Sequence, residues 1–132
     1  MMSERRKRSI EVPGVSHGKA PIPMGARVGN IIYSSAIAGK DPATNQLPAD
    51  PAEQPRLAFA NMATLLEQGG ARLEDVVRVT VLLKDDSLRE AINTEWLRYF
   101  PDPDDRPARH VSPTELQHGM LLQLEVVAVV QD

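Results

Sequence analysis

One arginine near the C-terminal end of the chain has the chemistry that carboxylate binding needs. Arg109 stands in the stretch RPARH, directly after Pro107-Ala108. Its planar guanidinium group offers two parallel N–H donors to a carboxylate, and the nearby proline restricts the backbone that leads into it. We therefore predict that Arg109 binds a carboxylate. The alternative is an edge-strand position with a surface ion pair to an acid within 102–105.

An acid within an apolar run is the second candidate. Glu125 and Gln123 are the only polar residues of LLQLEVVAVV, which ends at Val130. Side chains of a strand alternate between two faces, so Gln123 and Glu125 share a face. A buried carboxylate is rarely left unpaired, and desolvation would favour its protonated form, which suits proton transfer. A solvent-facing or salt-bridged position on an outer face explains the pattern equally well.

Histidines and an asparagine are further candidates. His17 and His110 are placed for acid–base work, with a structural role as the alternative for each. The three histidines of the chain are scattered, and no H-x-x-x-H or H-E-x-x-H pair occurs, so we expect no metal site. Asn93 is a poor helix former beside a predicted buried stripe, where it could orient a ligand or simply lie on the surface.

The elements that position these residues follow from hydrophobic periodicity. The clearest strand is VVRVTVLL, over 76–83, whose odd-numbered residues are predicted to form one wholly apolar face. One helix is predicted within 50–68, and Pro55 indicates either a start near Gln54 or an irregular first turn. A second helix is predicted to begin with a capping box at Ser87–Glu90 and to stop before Pro101.

Together with short strands near 9–12, 28–36, 108–112 and 120–130, these elements predict an α+β fold. We expect a two-layer sandwich, with a mixed six-stranded sheet and two helices on one face. Because two helices cover one face only, the half-apolar other face indicates a sheet that meets further copies of the chain. Residues 1–8 are predicted to be a flexible tail, and 9–132 a single domain.

Composition excludes several classes of protein. The net charge of −3 argues against nucleic acid as a main partner. No apolar run approaches the ~20 residues of a membrane span, and the basic N-terminus lacks the apolar stretch of a secretory signal. Cysteine is absent, so thiolate chemistry and disulfides are excluded. We expect a cytoplasmic protein without a membrane partner. No P-loop, G-x-G-x-x-G or G-x-S-x-G motif is present.

Several motifs, in order over 28–130, resemble the Rid family (reactive intermediate deaminase, YjgF-like, L-PSP endoribonuclease-like). They are VGNIIYSSAIAGKDPATNQL, AFANMATLLEQGGARLEDVVRVTVLLKD, Ile92-Asn93, RPAR and LQLEVVAVV. The resemblance implies a chorismate mutase-like fold and a homotrimer with ligand clefts between subunits. It also implies that an enamine or imine of a small carboxylate is hydrolysed to a ketone and ammonia, without a cofactor.

The same resemblance assigns roles to four residues. It implies that Arg109 binds the substrate carboxylate and that Glu125 positions or activates water. It places Ser35, at the end of the central strand, and Asn93, in the second helix, among the substrate-binding residues.

The chain departs from the best-studied family members at three substrate-site positions. Ile22 stands where they have a tyrosine, Ala36 where they have a glycine after the serine, and Val111 where they have a cysteine. The segments HGKAPIP, FPDP and RPARH instead resemble the branch that includes 2-aminomuconate deaminase. In that case His17 and His110 could replace the tyrosine in proton transfer.

Three functions follow as hypotheses. The first is an enamine or imine deaminase with an aminomuconate-like or 2-aminoacrylate-like substrate. The second is a non-catalytic trimeric module that binds small carboxylates or proteins. The third, an endoribonuclease as in some relatives, conflicts with the acidic charge balance.

Overall fold

A computed structural model describes residues 7–131 of the chain. Within them, seven strands and two α-helices form the predicted two-layer α+β arrangement. The strands are β1 (Ser9–Ile10), β2 (Gly25–Val28), β3 (Ile31–Ser34), β4 (Ile37–Ala38), β5 (Val76–Leu83), β6 (Ala108–Pro113) and β7 (Leu122–Val129). The helices are α1 (Gln54–Gln68) and α2 (Arg89–Tyr99).

All seven strands join one mixed sheet in the order β1-β2-β3-β7-β5-β6, with β4 paired to β7 beyond the end of β3. The described strand pairs are antiparallel apart from β5 and β6, which run parallel and are connected through α2. The sheet has seven strands rather than the predicted six. The difference arises because the chain leaves the sheet after Ser34 and re-enters it as β4.

The first helix has the irregular start that its proline indicated. The Asp50 carboxylate accepts a hydrogen bond from the Ala52 amide at 3.0 Å and caps a 3₁₀ turn at Pro51–Glu53. The regular helix begins at Gln54, with Pro55 in its first turn, where a missing N–H costs little. Both predicted possibilities, the late start and the irregular turn, are therefore confirmed.

The second helix begins differently from the prediction. The Ser87–Glu90 capping box is wrong, because Asp85 provides the cap instead. Its carboxylate accepts a hydrogen bond from the Ser87 amide at 2.9 Å and starts a 3₁₀ turn at Asp86–Leu88, and α2 follows from Arg89. Aspartate two residues upstream is as good a cap as serine, so composition alone does not choose between them.

The central strand β5 contains a β-bulge. Its register against β7 shifts between Val76 and Arg78, which inserts one extra residue and reverses the alternation at that point. Val76 is therefore buried, whereas Val77, predicted to face the core, is 50% exposed. The three predicted core positions after the bulge are fully buried.

Strand β7 alternates as predicted and separates the two faces of the sheet. Its core side is buried beneath the helices: Leu122, Leu124, Val126 and Ala128. Its other side carries Gln123, Glu125, Val127 and Val129. We call this other side of the sheet the open face.

One end of the open face is apolar. Five large side chains there are 39–61% exposed: Val28, Ile31, Tyr33, Val77 and Val129. We call them the open-face patch. An exposed apolar cluster on a sheet is typical of a surface that meets another protein chain.

Two further predictions concern the N-terminal tail and membrane-spanning helices. Of the tail predicted over 1–8, residues 1–6 lie outside the described residues, and the Arg8 carbonyl accepts a hydrogen bond from the Arg27 amide at 2.8 Å. Between residues 7 and 131, neither helix is long and apolar enough to cross a membrane.

Leu124 tests the assignment of the core, because its side chain is fully buried on β7 between β4 and β5. We expect Leu124→Ala to lower the free energy of unfolding by about 2–5 kcal/mol in urea titrations at one protein concentration. The control is Leu97→Ala on α2, where the side chain is 52% exposed and the expected change is within about 0.5 kcal/mol. Equal losses in the two variants would contradict the core described above.

Candidate functional site

Arg109 lies on the edge strand β6 and points to the helix-covered side of the sheet. Its register partner on β5 is Val79, a fully buried core residue, and paired residues point to the same face. The Arg109 Nη2 donates to Asn93 Oδ1 at 2.8 Å, and its Cζ lies 5.0 Å from the centroid of the Trp96 ring. Asn93 and Trp96 are three residues apart on one side of α2, so a single helix face holds the guanidinium.

The Arg109 guanidinium is partly desolvated and has no counter-ion within the described part of the chain. The predicted alternative, an ion pair with an acid within 102–105, is therefore not formed. Nη1 is buried without a hydrogen-bond partner among residues 7–131. Burial lowers the pKa of Arg109 below its usual value, and the positive charge of Arg89 lowers it further. An anionic ligand would satisfy both the orphaned donor and the unpaired charge.

Glu125 lies on the open face, on the other side of the sheet from Arg109. It pairs with Thr80 on β5, and Thr80 pairs with His110 on β6, so the three side chains form a row. Glu125 is exposed rather than buried. Arg109 and Glu125, to which the resemblance assigns roles on one substrate, therefore do not meet within one chain. The cause is strand alternation, because the adjacent Arg109 and His110 must point to opposite faces.

His110 is also exposed in the single chain. Its Nδ1 lies 3.4 Å from the Nη2 of Arg78, which shares the open face. His110 therefore lies apart from the Arg109 guanidinium, although the two residues are adjacent in sequence.

A cavity of about 420 Å³ lies between the loop at 13–24, β4 and the start of β7. Most of its lining surface is apolar, and the polar groups come from Ser16, His17, Lys40, Gln46, His118 and Gln123. Such a cavity has the size and character of a small-ligand site. It includes Ala36, one of the predicted substrate-binding residues.

His17 is held in this cavity in one tautomer. Its Nε2 lies 2.9 Å from the carbonyl oxygen of Ala36. Because a carbonyl oxygen only accepts hydrogen bonds, Nε2 carries the proton, and Nδ1 of the neutral ring keeps its lone pair. This Nδ1 is buried and has no hydrogen-bond partner in the described range of 7–131. His17 therefore has a proton-accepting nitrogen that no described residue uses.

Ser35 and Ala36 lie where the sheet is interrupted. Tyr33 pairs with Val127, and Ile37 pairs with Leu124. The three residues 34–36 therefore lie opposite only two residues of β7, 125–126. The irregularity places 35–36 beside Glu125 in register.

Two hydrogen bonds connect this interruption to the neighbouring loop. The Ser35 Oγ donates to the carbonyl oxygen of Pro23 at 2.8 Å, and the Ser35 amide donates to that of Met24 at 2.8 Å. Ile22, the residue before Pro23, is 50% exposed on the same loop. Two half-sites result: Arg109 with Asn93, and the cavity region with His17, Ser35, Ala36 and Ile22.

Trp96 and Gln123 are among the residues of these half-sites that were not predicted as site residues. The ring of Trp96 supports Arg109, and its spacing of three from Asn93 was the available signal. Gln123 was noted only for sharing a face with Glu125, but it is the polar residue of β7 that lines the cavity. No sequence pattern indicates this, because the cavity depends on how the loop at 13–24 folds.

The comparisons with known proteins agree with this fold. A family model described as Endoribonuclease L-PSP matches residues 20–130. A RutC family protein of Haemophilus influenzae is 33% identical over 119 residues, which is 84% of this chain and 92% of that protein. A 2-iminobutanoate/2-iminopropanoate deaminase of Dermatophagoides farinae is 30% identical over 127 residues, which is 95% and 98% of the two chains.

Solved structures give the same result. The YjgF gene product of Escherichia coli superposes with a TM-score of 0.82 at 26% identity, over 94% of this chain and 99% of that chain. The RidA structure of Psychrobacter has a TM-score of 0.84 at 26% identity, over 94% and 100%. The chain therefore belongs to the Rid family, the YjgF and RutC proteins whose family model is described as Endoribonuclease L-PSP.

Proposed function

We propose that the protein hydrolyses the imine or enamine of a small carboxylate to a ketone and ammonia. The observation that carries this proposal is the Arg109 guanidinium, held by Asn93 and Trp96 with a buried, unpartnered Nη1. Relatives named as 2-iminobutanoate/2-iminopropanoate deaminases, at 30% identity, support the same type of reaction. Aminomuconate-like and 2-aminoacrylate-like substrates both fall within this class.

The proposed chemistry requires few protein groups. An enamine first tautomerises to the imine, because its carbon takes up a proton and its nitrogen loses one. Water then adds to the imine carbon, and the C–N bond of the resulting carbinolamine breaks to release ammonia and leave the carbonyl. In the addition and breakdown, protons move from the oxygen of the attacking water to the leaving nitrogen. Fixing the carboxylate holds the reacting carbon in place, and a nearby acid–base group carries the proton.

His17 is the group we assign to this proton transfer. Its Nε2–H is held by the Ala36 carbonyl, and its Nδ1 is unpartnered within residues 7–131. Gln123, which lines the same cavity, does not titrate but can hold a water by hydrogen bonds. Glu125 and His110 lie on the open face, on the other side of the sheet from Arg109. In this proposal, they contact the ligand or water only when they belong to a different subunit from the Arg109 that binds the ligand.

We further propose that a homotrimer completes the site. Arg109 and the His17 cavity lie on different parts of one chain, separated by the strand order β7-β5-β6. The open-face patch is suited to contact another copy, and β6 presents Arg109 at an edge of the sheet. In the resulting cleft, Arg109 of one subunit and the His17 cavity of the next would contact the same substrate.

The Arg109 assignment is tested by ammonia release from imines that an amino-acid oxidase generates in situ. We expect Arg109→Ala to lower kcat/KM by on the order of 100-fold, because a charge-assisted hydrogen bond to the substrate is lost. Arg98→Ala removes the same charge from an exposed side chain on α2 and should keep wild-type activity. Equal activity in Arg109→Ala and Arg98→Ala would refute the carboxylate-binding role.

Binding measurements separate the deaminase from a non-catalytic binding module. If stable carboxylates bind the wild-type protein in an Arg109-dependent manner while no imine is turned over, the proposed reaction is wrong and the binding module is correct.

The His17 assignment predicts a change in kcat rather than in binding. We expect His17→Ala to lower kcat by roughly 10²- to 10⁴-fold, while the affinity for a stable carboxylate stays near that of the wild type. A variant with unchanged kcat, or one that loses carboxylate affinity instead, would contradict proton transfer by His17.

Mixed trimers test whether two copies build the cleft. Arg109→Ala and His17→Ala homotrimers should each be inactive, and co-refolding equal amounts should restore about a quarter of the wild-type activity, since that share of clefts combines both native side chains. Sedimentation should show a trimer in every sample. Full activity in a monomer, or no recovery in verified mixed trimers, would show that the cleft is not shared.

A further inference from the structure

A second arginine lies on the face of α2 that holds Arg109. Arg89 is four residues before Asn93, so the Cβ atoms of these two residues lie about 5–6 Å apart on one helix face. Asn93 in turn accepts the hydrogen bond from Arg109 Nη2 at 2.8 Å. Arg89 and Arg109 therefore flank one asparagine, and the charge of Arg89 is close enough to lower the pKa of Arg109.

Two like charges at one place are unfavourable unless something neutralises them. The described partner of Arg89 is Asp86, at 2.9 Å, but the two side chains are 46% and 71% exposed. An ion pair exposed to that degree contributes little, so Arg89 can exchange it for another anion at small cost. Arg109 has no carboxylate partner within residues 7–131. The two arginines thus carry more positive charge than their described carboxylate partner, Asp86, neutralises.

We propose that Arg89 binds a second carboxylate of the substrate, so that the preferred substrates are imines or enamines of short dicarboxylates. This inference rests on the proposed function, in which Arg109 binds the first carboxylate. Arg89 is then a specificity-determining residue: it favours dicarboxylates over monocarboxylates without touching the reacting carbon. In this proposal, a short carbon chain joins the carboxylate bound by Arg109 to the carboxylate bound by Arg89.

The experiment compares two stable carboxylates of equal carbon number, pentanoate and pentanedioate, by calorimetric titration. The wild type should bind pentanedioate more tightly, and added salt should reduce this preference. Arg89→Gln should weaken pentanedioate binding by roughly three- to tenfold and leave pentanoate binding unchanged. Arg98→Gln, which removes the same charge nine residues later on α2, should change neither. Arg109→Gln should weaken both.

The outcomes separate this inference from the proposed function. If Arg89→Gln binds both ligands like the wild type, or weakens both equally, Arg89 does not recognise a second carboxylate and the inference is overturned. Turnover of imines with Arg109-dependent kinetics would still support the deaminase in that case. If no imine is turned over but Arg89→Gln selectively loses pentanedioate, the dicarboxylate site stands and the deaminase fails. Thermal unfolding of each variant verifies that loss of binding is not loss of folding.

Discussion

The site depends on a positive charge that has lost part of its water and gained no counter-ion. The guanidinium of Arg109 lies over an indole ring, with one nitrogen bonded to an amide oxygen and another bonded to nothing in the described chain. Such an arrangement costs folding free energy, because a desolvated donor and an unneutralised charge both favour water. Structures tolerate violations of this kind mainly at functional sites. Trp96 and Asn93 hold the group in one orientation.

Strand geometry explains why the predicted site residues do not meet within one chain. Alternation on β6 sends Arg109 to the helix side and His110 to the open face, while β7 presents Glu125 and Gln123 on the open face. The interruption between β3 and β4 then brings 35–36 beside β7 and bounds the cavity around His17. In the proposed trimer, a second copy of the chain would supply one of these two groups. The apolar patch on the open face is consistent with such a contact.

Much of the fold could be predicted because it depends on local pattern. The helix near Gln54 and the alternation along β7 follow from periodicity, and ordered motifs indicated the family. The predictions that were wrong concern features set by long-range strand register or by competition between neighbouring residues for the same role. The bulge that exposes Val77 is set by pairing with β7, and Asp85 caps the second helix because several residues there could do so.

The candidate site, too, could be predicted only as far as it depends on local sequence. Arg109 stood out by residue type and setting, but a six-residue strand with no clear alternation does not reveal which face it occupies. Its burial over Trp96 depends on the packing of α2 against β6. Gln123 was hidden for a similar reason, because only the folded loop at 13–24 makes it part of a cavity.

The most direct test of the central claim is a crystal structure of the assembled protein with a stable short-chain carboxylate bound. The account predicts carboxylate oxygens within hydrogen-bond distance of Arg109 Nη1 and the His17 cavity of a neighbouring copy on the other side of the ligand. A carboxylate bound elsewhere while Arg109 contacts only water, or a ligand enclosed by a single chain, would contradict it.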